Sequence, residues 1–367
     1  MSFYSRFIRP ALFRVDPESV HNATVRACGV AGATAVGRWL LRQAFTYRDP
    51  RLECTVAGMR LANPVGLAAG WDKSGAGAAG ASCLGFGFYE IGSVSADLSH
   101  GNPKPRLFRL PQDQAIIVHY GLQNDGAEAV GRRIARSRIA VPIGINIVKT
   151  NRGPDAPPDS PEEVFEDYLR STRVLKEAAD YLVYNLSCPN TETGRDFFRE
   201  PGMIRKLLAL LEAERISRPV FLKISPLGGG EALDRMLAET AGCKVVSGFM
   251  LNLPPGKVVP LQTPEEEWSD LPGAVAGKPV EGLINEQLAE LYRRIDRRRH
   301  CIVAAGGVFT AEDAYRKIRL GAAAVQLLTG MIYEGPGMVA RINRGLSVLL
   351  ARDGFAGIEE AVGADHQ

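Results

Sequence analysis

Eight short, nearly uninterrupted apolar runs, mostly separated by helical patterns, leave few folds open to this chain. They occupy residues 63–69, 88–94, 142–148, 181–187, 219–225, 245–252, 302–307 and 323–329. Runs of this length and continuity suit strands of a parallel sheet, which is buried on both faces. Helical periodicity over residues 162–178, 203–214, 285–298 and 311–319 supplies crossover segments between several of them. Eight such units predict a closed (β/α)8 barrel, an α/β TIM barrel, rather than an open doubly wound sheet. Residues 101–117, with Pro103 and Pro105, fit an inserted hairpin. Residues 254–280 form a proline- and glycine-rich excursion long enough to cover a site.

Upstream, residues 1–48 follow a different rule. Phe3, Tyr4, Phe7, Ile8, Leu12 and Phe13 recur at helical spacing among Arg6, Arg9 and Arg14. A second stretch carries Val36, Trp39, Leu40, Leu41 and Phe45, and Asp16-Pro17-Glu18 reads as an N-cap with proline at the first helical position. The expected organisation is an amphipathic helical extension over 1–48, a barrel over 49–355 and an acidic tail over 356–367. An aromatic, basic arm has two uses open to it: lying on a membrane surface or packing against the barrel.

Charge excludes some partners. A net charge of +3 on 367 residues does not predict nucleic acid, and the cluster Arg293, Arg294, Arg297, Arg298 and Arg299 reads as a solvated last helical turn. The six cysteines lie far apart and the five histidines are scattered, so neither a disulfide framework nor a metal site is expected. No stretch has the length of a transmembrane helix and no signal peptide is read at the N-terminus, which predicts a cytoplasmic protein, with attachment to the inner face of the cytoplasmic membrane left open.

In such barrels chemistry gathers where strands end. The polar residues at or just after those ends are Lys73, Ser93, Asn185, Ser187, Cys188, Asn190, Asn252, Gly306-Gly307 and Thr329, with Asn146 and Lys223 inside the third and fifth strands. So many polar groups at a barrel mouth need partners that a ligand supplies. Gly306 and Gly307 let backbone approach a phosphate, and the following helix N-terminus favours an anion.

The segments NPVGLAAGWDKSG (63–75), GFGFYEIGSVS (85–95), GNPKPRLFRLP (101–111), YNLSCPNT (184–191) and EDAYRKIRLGAAAVQLLTGMIYEGPG (312–337) resemble dihydroorotate dehydrogenases in order and spacing. The arm is similar to that of the quinone-linked class, and no iron–sulfur cysteine pattern points to the NAD-linked class. The resemblance implies FMN, contacted by Ala69, Gly70, Lys73, Ser93, Asn146, Asn185, Lys223, Gly277, Gly306, Gly307 and Thr329. It places Lys223 near the flavin N1–C2 edge, and Lys73 between flavin and substrate. Substrate contacts fall on Lys73, Val118, Tyr120, Gly121, Leu122, Asn185, Asn190, Asn252 and Leu253. Cys188 takes the place of the base that removes a proton while hydride leaves for FMN. The implied activity is oxidation of dihydroorotate to orotate in pyrimidine biosynthesis, with quinone as acceptor. A barrel that binds FMN without turnover fits poorly with Lys73, Asn185, Cys188, Asn190 and Asn252 all present.

Departures from the pattern are equally specific. Quinone-linked members usually have Ser where Cys188 stands. Val118 replaces an Asn that contacts the orotate carboxylate, Leu253 a Thr or Ser, and Leu328 a Tyr beside the quinone channel. Ala276 replaces a Ser near the phosphate, whereas Arg109, usual near the quinone path, is retained. His119 and Gln123 are the nearby polar residues able to compensate. A substrate lacking the carboxylate, or carrying an apolar group there, is the alternative that these changes favour.

Overall fold

The structure is a computed structural model and describes residues 2–187, 197–225 and 227–366. Eight parallel strands close into a barrel: β1 (Val65–Leu67), β2 (Phe88–Val94), β3 (Ile143–Ile147), β4 (Tyr181–Asn185), β5 (Val220–Ile224), β6 (Val246–Leu251), β7 (Cys301–Ala305) and β8 (Ala324–Leu327). Neighbours in sequence are neighbours in space, and Val325 pairing with Val65 closes the ring. Every one of the eight runs is therefore a barrel strand. Their interiors fill in layers. Phe88, Tyr181 and Phe221 stack edge to face at 6.3 and 5.8 Å between centroids. A Cβ on Gly66 or Gly144 would strike the rings of Phe88 or Tyr181, so small residues on one strand admit large ones from the next.

Above this aromatic plug lies a polar layer. Glu90 of β2 is wholly buried and accepts from Asn146 of β3, Lys223 of β5 and Gln326 of β8. The cavity opens beyond that layer, at the C-terminal ends of the strands.

The insertion forms a hairpin of Leu107–Leu110 and Ala115–Val118, and the excursion after β6 adds Ala274–Gly277 as its third strand. Asp113 fixes the excursion by accepting from the amides of Gln262 (2.5 Å) and Thr263 (3.0 Å) and from the Thr263 hydroxyl. This pairing sets Ala274 opposite Val118, so excursion and insertion form one wall.

Helix Glu281–Arg294 starts and ends earlier than its periodicity suggests, because Ile295 turns extended, and Arg297–Arg299 lie beyond it. Residues after Gly357 pack rather than trail. Ile358 and Ala361 are buried, Glu359 accepts from the Thr55 amide at 2.6 Å, and Asp365 pairs with Arg319 at 2.7 Å.

The N-terminal arm contains helices Pro17–Ala33 and Ala35–Phe45, and Asp16 caps the first by accepting from the Ser19 amide at 2.7 Å. Gly32 lies so close to the backbone of Gly80 that neither residue has room for a side chain. Further out, the Tyr4 hydroxyl donates to the Ile332 carbonyl at 2.8 Å, and the Phe13 and Tyr333 rings meet at 5.3 Å. The arm is thus fastened across the cavity end of the barrel.

Candidate active site

The cavity at the barrel mouth encloses about 1370 Å3 of space, open mouth included. Its deep wall carries Ser93, Asn185, Lys223 and Gln326, one each from β2, β4, β5 and the strand beside the closure. One end is formed by Gly277, Gly306, Gly307 and Thr329, and the other by Val118, Tyr120, Leu122, Asn252 and Leu253. Ala69, Gly70 and Lys73 of the β1 loop line it as well. Two expected residues do not. Asn146 is fully buried one layer behind Ser93, whose hydroxyl it meets at 2.5 Å, and Gly121 packs against Asn102. Cys188 and Asn190 lie outside the described residues.

Each group is held for a reason. Asn252 donates to Asn185 Oδ1 (2.9 Å) and to the Ser187 carbonyl (2.9 Å), which fixes both amides at the ends of β4 and β6. Gly306 and Gly307 have φ of +95° and +74°, a region closed to most side chains, and they lead to a helix at Ala311–Arg319 capped by Thr310. That end is suited to an anion. Buried polar atoms are rarely left unpaired. Yet Gln326 Oε1, in the cavity wall, has no partner within the described residues. These groups fit a flat ring with a polar edge and an anionic tail.

The arm supplies a wall that the sequence did not reveal. Helix Pro17–Ala33 brings His21 into the cavity, where His21 Nε2 meets Lys73 Nζ at 3.1 Å. The same ammonium lies 3.7 Å above the Tyr120 ring. Burial pushes the Lys73 ammonium down to about 7, with Glu18 opposing that fall and Arg106 adding to it. Burial, helped by Lys73, lowers His21 to about 3. One turn earlier Glu18 takes a bidentate grip from Arg106, with the shortest contact at 2.8 Å. Arg106 also donates to Gln123 Oε1 at 2.6 Å. Gln123 therefore reaches the cavity with its carbonyl already occupied, and His119 turns to Asn102 at 2.9 Å. Arg109 is committed to the arm, donating to the carbonyls of Val15 (2.9 Å) and Leu12 (3.3 Å).

Lys73 gives a pH signature. Its native value lies below the 10.5 of a free lysine, so between about 7 and 10 the unfolded chain binds more protons. Stability relative to Lys73→Met is therefore expected to rise with pH through that window. Thermal midpoints of both proteins at pH 7, 8.5 and 10 check the sign.

Residues 51–350 match the dihydroorotate dehydrogenase family. The chain is 39% identical over 359 residues to a dihydroorotate dehydrogenase (quinone) of Gloeobacter violaceus, covering 98% of each chain. The chain belongs to the dihydroorotate dehydrogenase family. A dihydroorotate dehydrogenase (quinone) of Halobacterium salinarum is 38% identical, with 98% of this chain and 99% of the relative covered. Among solved structures, that of the Eimeria tenella DHODH in complex with ferulenol superimposes with a TM-score of 0.78 at 26% identity, covering 98% of this chain and 99% of that one. Membership makes the chain an oxidoreductase acting on CH–CH bonds, in a dihydroorotate dehydrogenase family whose cofactor is a flavin. Against that family pattern, Val118, Leu253 and Leu328 all line the cavity.

Proposed function

We propose that the chain oxidises dihydroorotate to orotate with FMN as its cofactor and quinone as the electron acceptor. The observation that carries this reading is the meeting of Lys73, Ser93, Asn185, Lys223, Asn252, Gly306, Gly307 and Thr329 around one cavity. Relatives named dihydroorotate dehydrogenase (quinone), similar over nearly the whole chain, support it. The chemistry supplied by bound FMN would be hydride acceptance from the substrate and onward electron transfer to the acceptor. Gly306, Gly307 and Thr329 would hold its phosphate, with Gly277, Ala69, Gly70 and Ser93 shaping the walls. Lys223 would compensate negative charge on the ring, in a site where solvent does little of that work. Cys188 is the base that removes the proton from the carbon next to the hydride donor, and its thiol must ionise for that. Asn185 and Asn252, with Asn190, bind the cyclic amide, and Lys73 faces the carboxylate. Steady-state assay of the full chain with dihydroorotate and a short-chain quinone should yield one orotate per quinone reduced. Absence of orotate would overturn the assignment.

A second reading rests on the apolar side chains of Val118 and Leu253. Each unpaired polar group on a substrate costs on the order of 1–3 kcal/mol. The same chemistry on a ring without the carboxylate, or with an apolar substituent in its place, suits this end better. Competition settles the matter: an uncharged dihydropyrimidine that reduces the flavin faster than dihydroorotate assigns the second reading.

Among the described residues no helix is long and apolar enough to cross a membrane. The arm nevertheless leaves Phe3 (72%), Phe7 (58%), Trp39 (58%) and Leu40 (54%) exposed, close in sequence to Arg6, Arg38 and Arg42. This pattern suits contact with an anionic lipid surface. The triple variant Phe7→Ser, Trp39→Ser, Leu40→Ser is expected to bind anionic vesicles at least tenfold more weakly, with its thermal midpoint unchanged. Equal vesicle binding would assign the arm to barrel packing alone.

A further inference from the structure

Glu90 is the least expected residue in the barrel. It is a single carboxylate inside the apolar run FYEIGSV, it is completely buried, and none of the roles assigned above uses it. Burying a carboxylate is costly unless every lone pair is met. Here three donors from three strands meet it: Lys223 Nζ at 3.0 Å and Asn146 Nδ2 at 2.8 Å on Oε1, and Gln326 Nε2 at 2.6 Å on Oε2. Two of those donors, Lys223 and Gln326, also line the cavity, and the third carries Ser93, which does too. The bond to Glu90 fixes the orientation of the Gln326 amide in the cavity wall.

We propose that Glu90 is a positioning residue that sets how readily a bound flavin is reduced, by fixing Lys223 and Gln326 toward the ring and offsetting part of the Lys223 charge. The proposal rests on the flavin reading above. The electrostatics give its sign. Reduction adds two electrons and one proton to the ring and leaves it anionic when the second proton stays in solvent. A nearby cation favours that state and a nearby carboxylate opposes it. An ion pair of Lys223 with Glu90 is close to neutral as a unit. Removing only the carboxylate exposes the ring to the full ammonium charge, and removing only the ammonium does the reverse.

The test is the two-electron midpoint potential of the flavin in the purified holoprotein, read by equilibration with a reference dye. Glu90→Gln is expected to favour the reduced form at least tenfold, about 30 mV upward for a two-electron couple. Lys223→Met should move the potential downward, and the double variant should return close to the parent, because both charges are gone. If Glu90→Gln alone does not fold, comparing Lys223→Met with the double variant reports the same loss of carboxylate. A carboxylate with a merely structural role would lower the thermal midpoint and leave the potential within a few millivolts of the parent, which overturns the proposal. So does a downward shift for Glu90→Gln. A parent protein that purifies without flavin and fails to take up added FMN overturns the flavin reading itself, and the proposal with it.

Discussion

Arg106→Met is expected to destabilise the chain by about 3–5 kcal/mol, because Arg106 anchors the arm to the insertion. The loss arises because the guanidinium is buried together with its partner, with side chains 4% and 6% exposed. Breaking one half of such a pair leaves the other charge stranded. Glu18 would keep only Lys104, which is 3.5 Å away and largely in solvent, where an ion pair contributes little. The reciprocal variant Glu18→Met should cost a similar amount, since Arg106 would retain the carbonyls of His100 and Asn102 but no anion. The double variant should recover most of the loss, because no unpaired charge remains. Chemical denaturation of the four proteins, read as a double-mutant cycle, measures the coupling. Simple additivity would mean that the pair does not hold the arm. The same latch bears on the site: His21 lies one turn from Glu18 and touches Lys73, so loosening the helix removes a wall of the cavity.

Cys188→Ala is expected to slow reduction of the flavin by substrate by a factor of about 10²–10⁴, the usual contribution of a positioned base. Cys188→Ser should retain part of the rate, with its optimum displaced to higher pH because a hydroxyl ionises less readily than a thiol. Flavin binding should be untouched in both. Anaerobic stopped-flow measurement of the bleaching rate gives the number directly. A Cys188→Ala protein that bleaches within threefold of the parent would move the base elsewhere in the cavity.

Much of the fold was legible because a barrel strand is apolar on both faces, and that is visible without a partner strand. Residues 63–69 and 323–329 each hold a strand that meets the other to close the ring. The cavity was legible for a related reason: Asn185, Lys223, Asn252 and Thr329 interrupt apolar runs where a barrel must end them. What escaped was pairing over long sequence distance. Glu18 and His21 look like the solvated face of a surface helix, and nothing near them in sequence names Arg106 or Lys73 as partners 88 and 52 residues away. Glu90 did leave a trace, as the lone charge in FYEIGSV, but its meaning depends on Lys223, 133 residues later. Asn146 was read within its strand as a cofactor contact, and it instead faces Glu90 in the layer below the cavity. The excursion after β6 was readable as a cover, although its strand Ala274–Gly277 became legible only once Ala115–Val118 offered an edge. Cys188 and Asn190 were named from their motif alone, and the described residues add nothing to them.

The central claim is that this barrel still accepts dihydroorotate despite Val118 and Leu253. Anaerobic mixing of the flavin-loaded chain with dihydroorotate, followed through the flavin absorbance, tests it most directly. Rapid bleaching is the predicted result, with Lys73 and the three asparagines making up for the missing contacts. A flavin that stays oxidised with dihydroorotate, yet bleaches at once with dithionite, would contradict the claim and leave the family chemistry working on another ring.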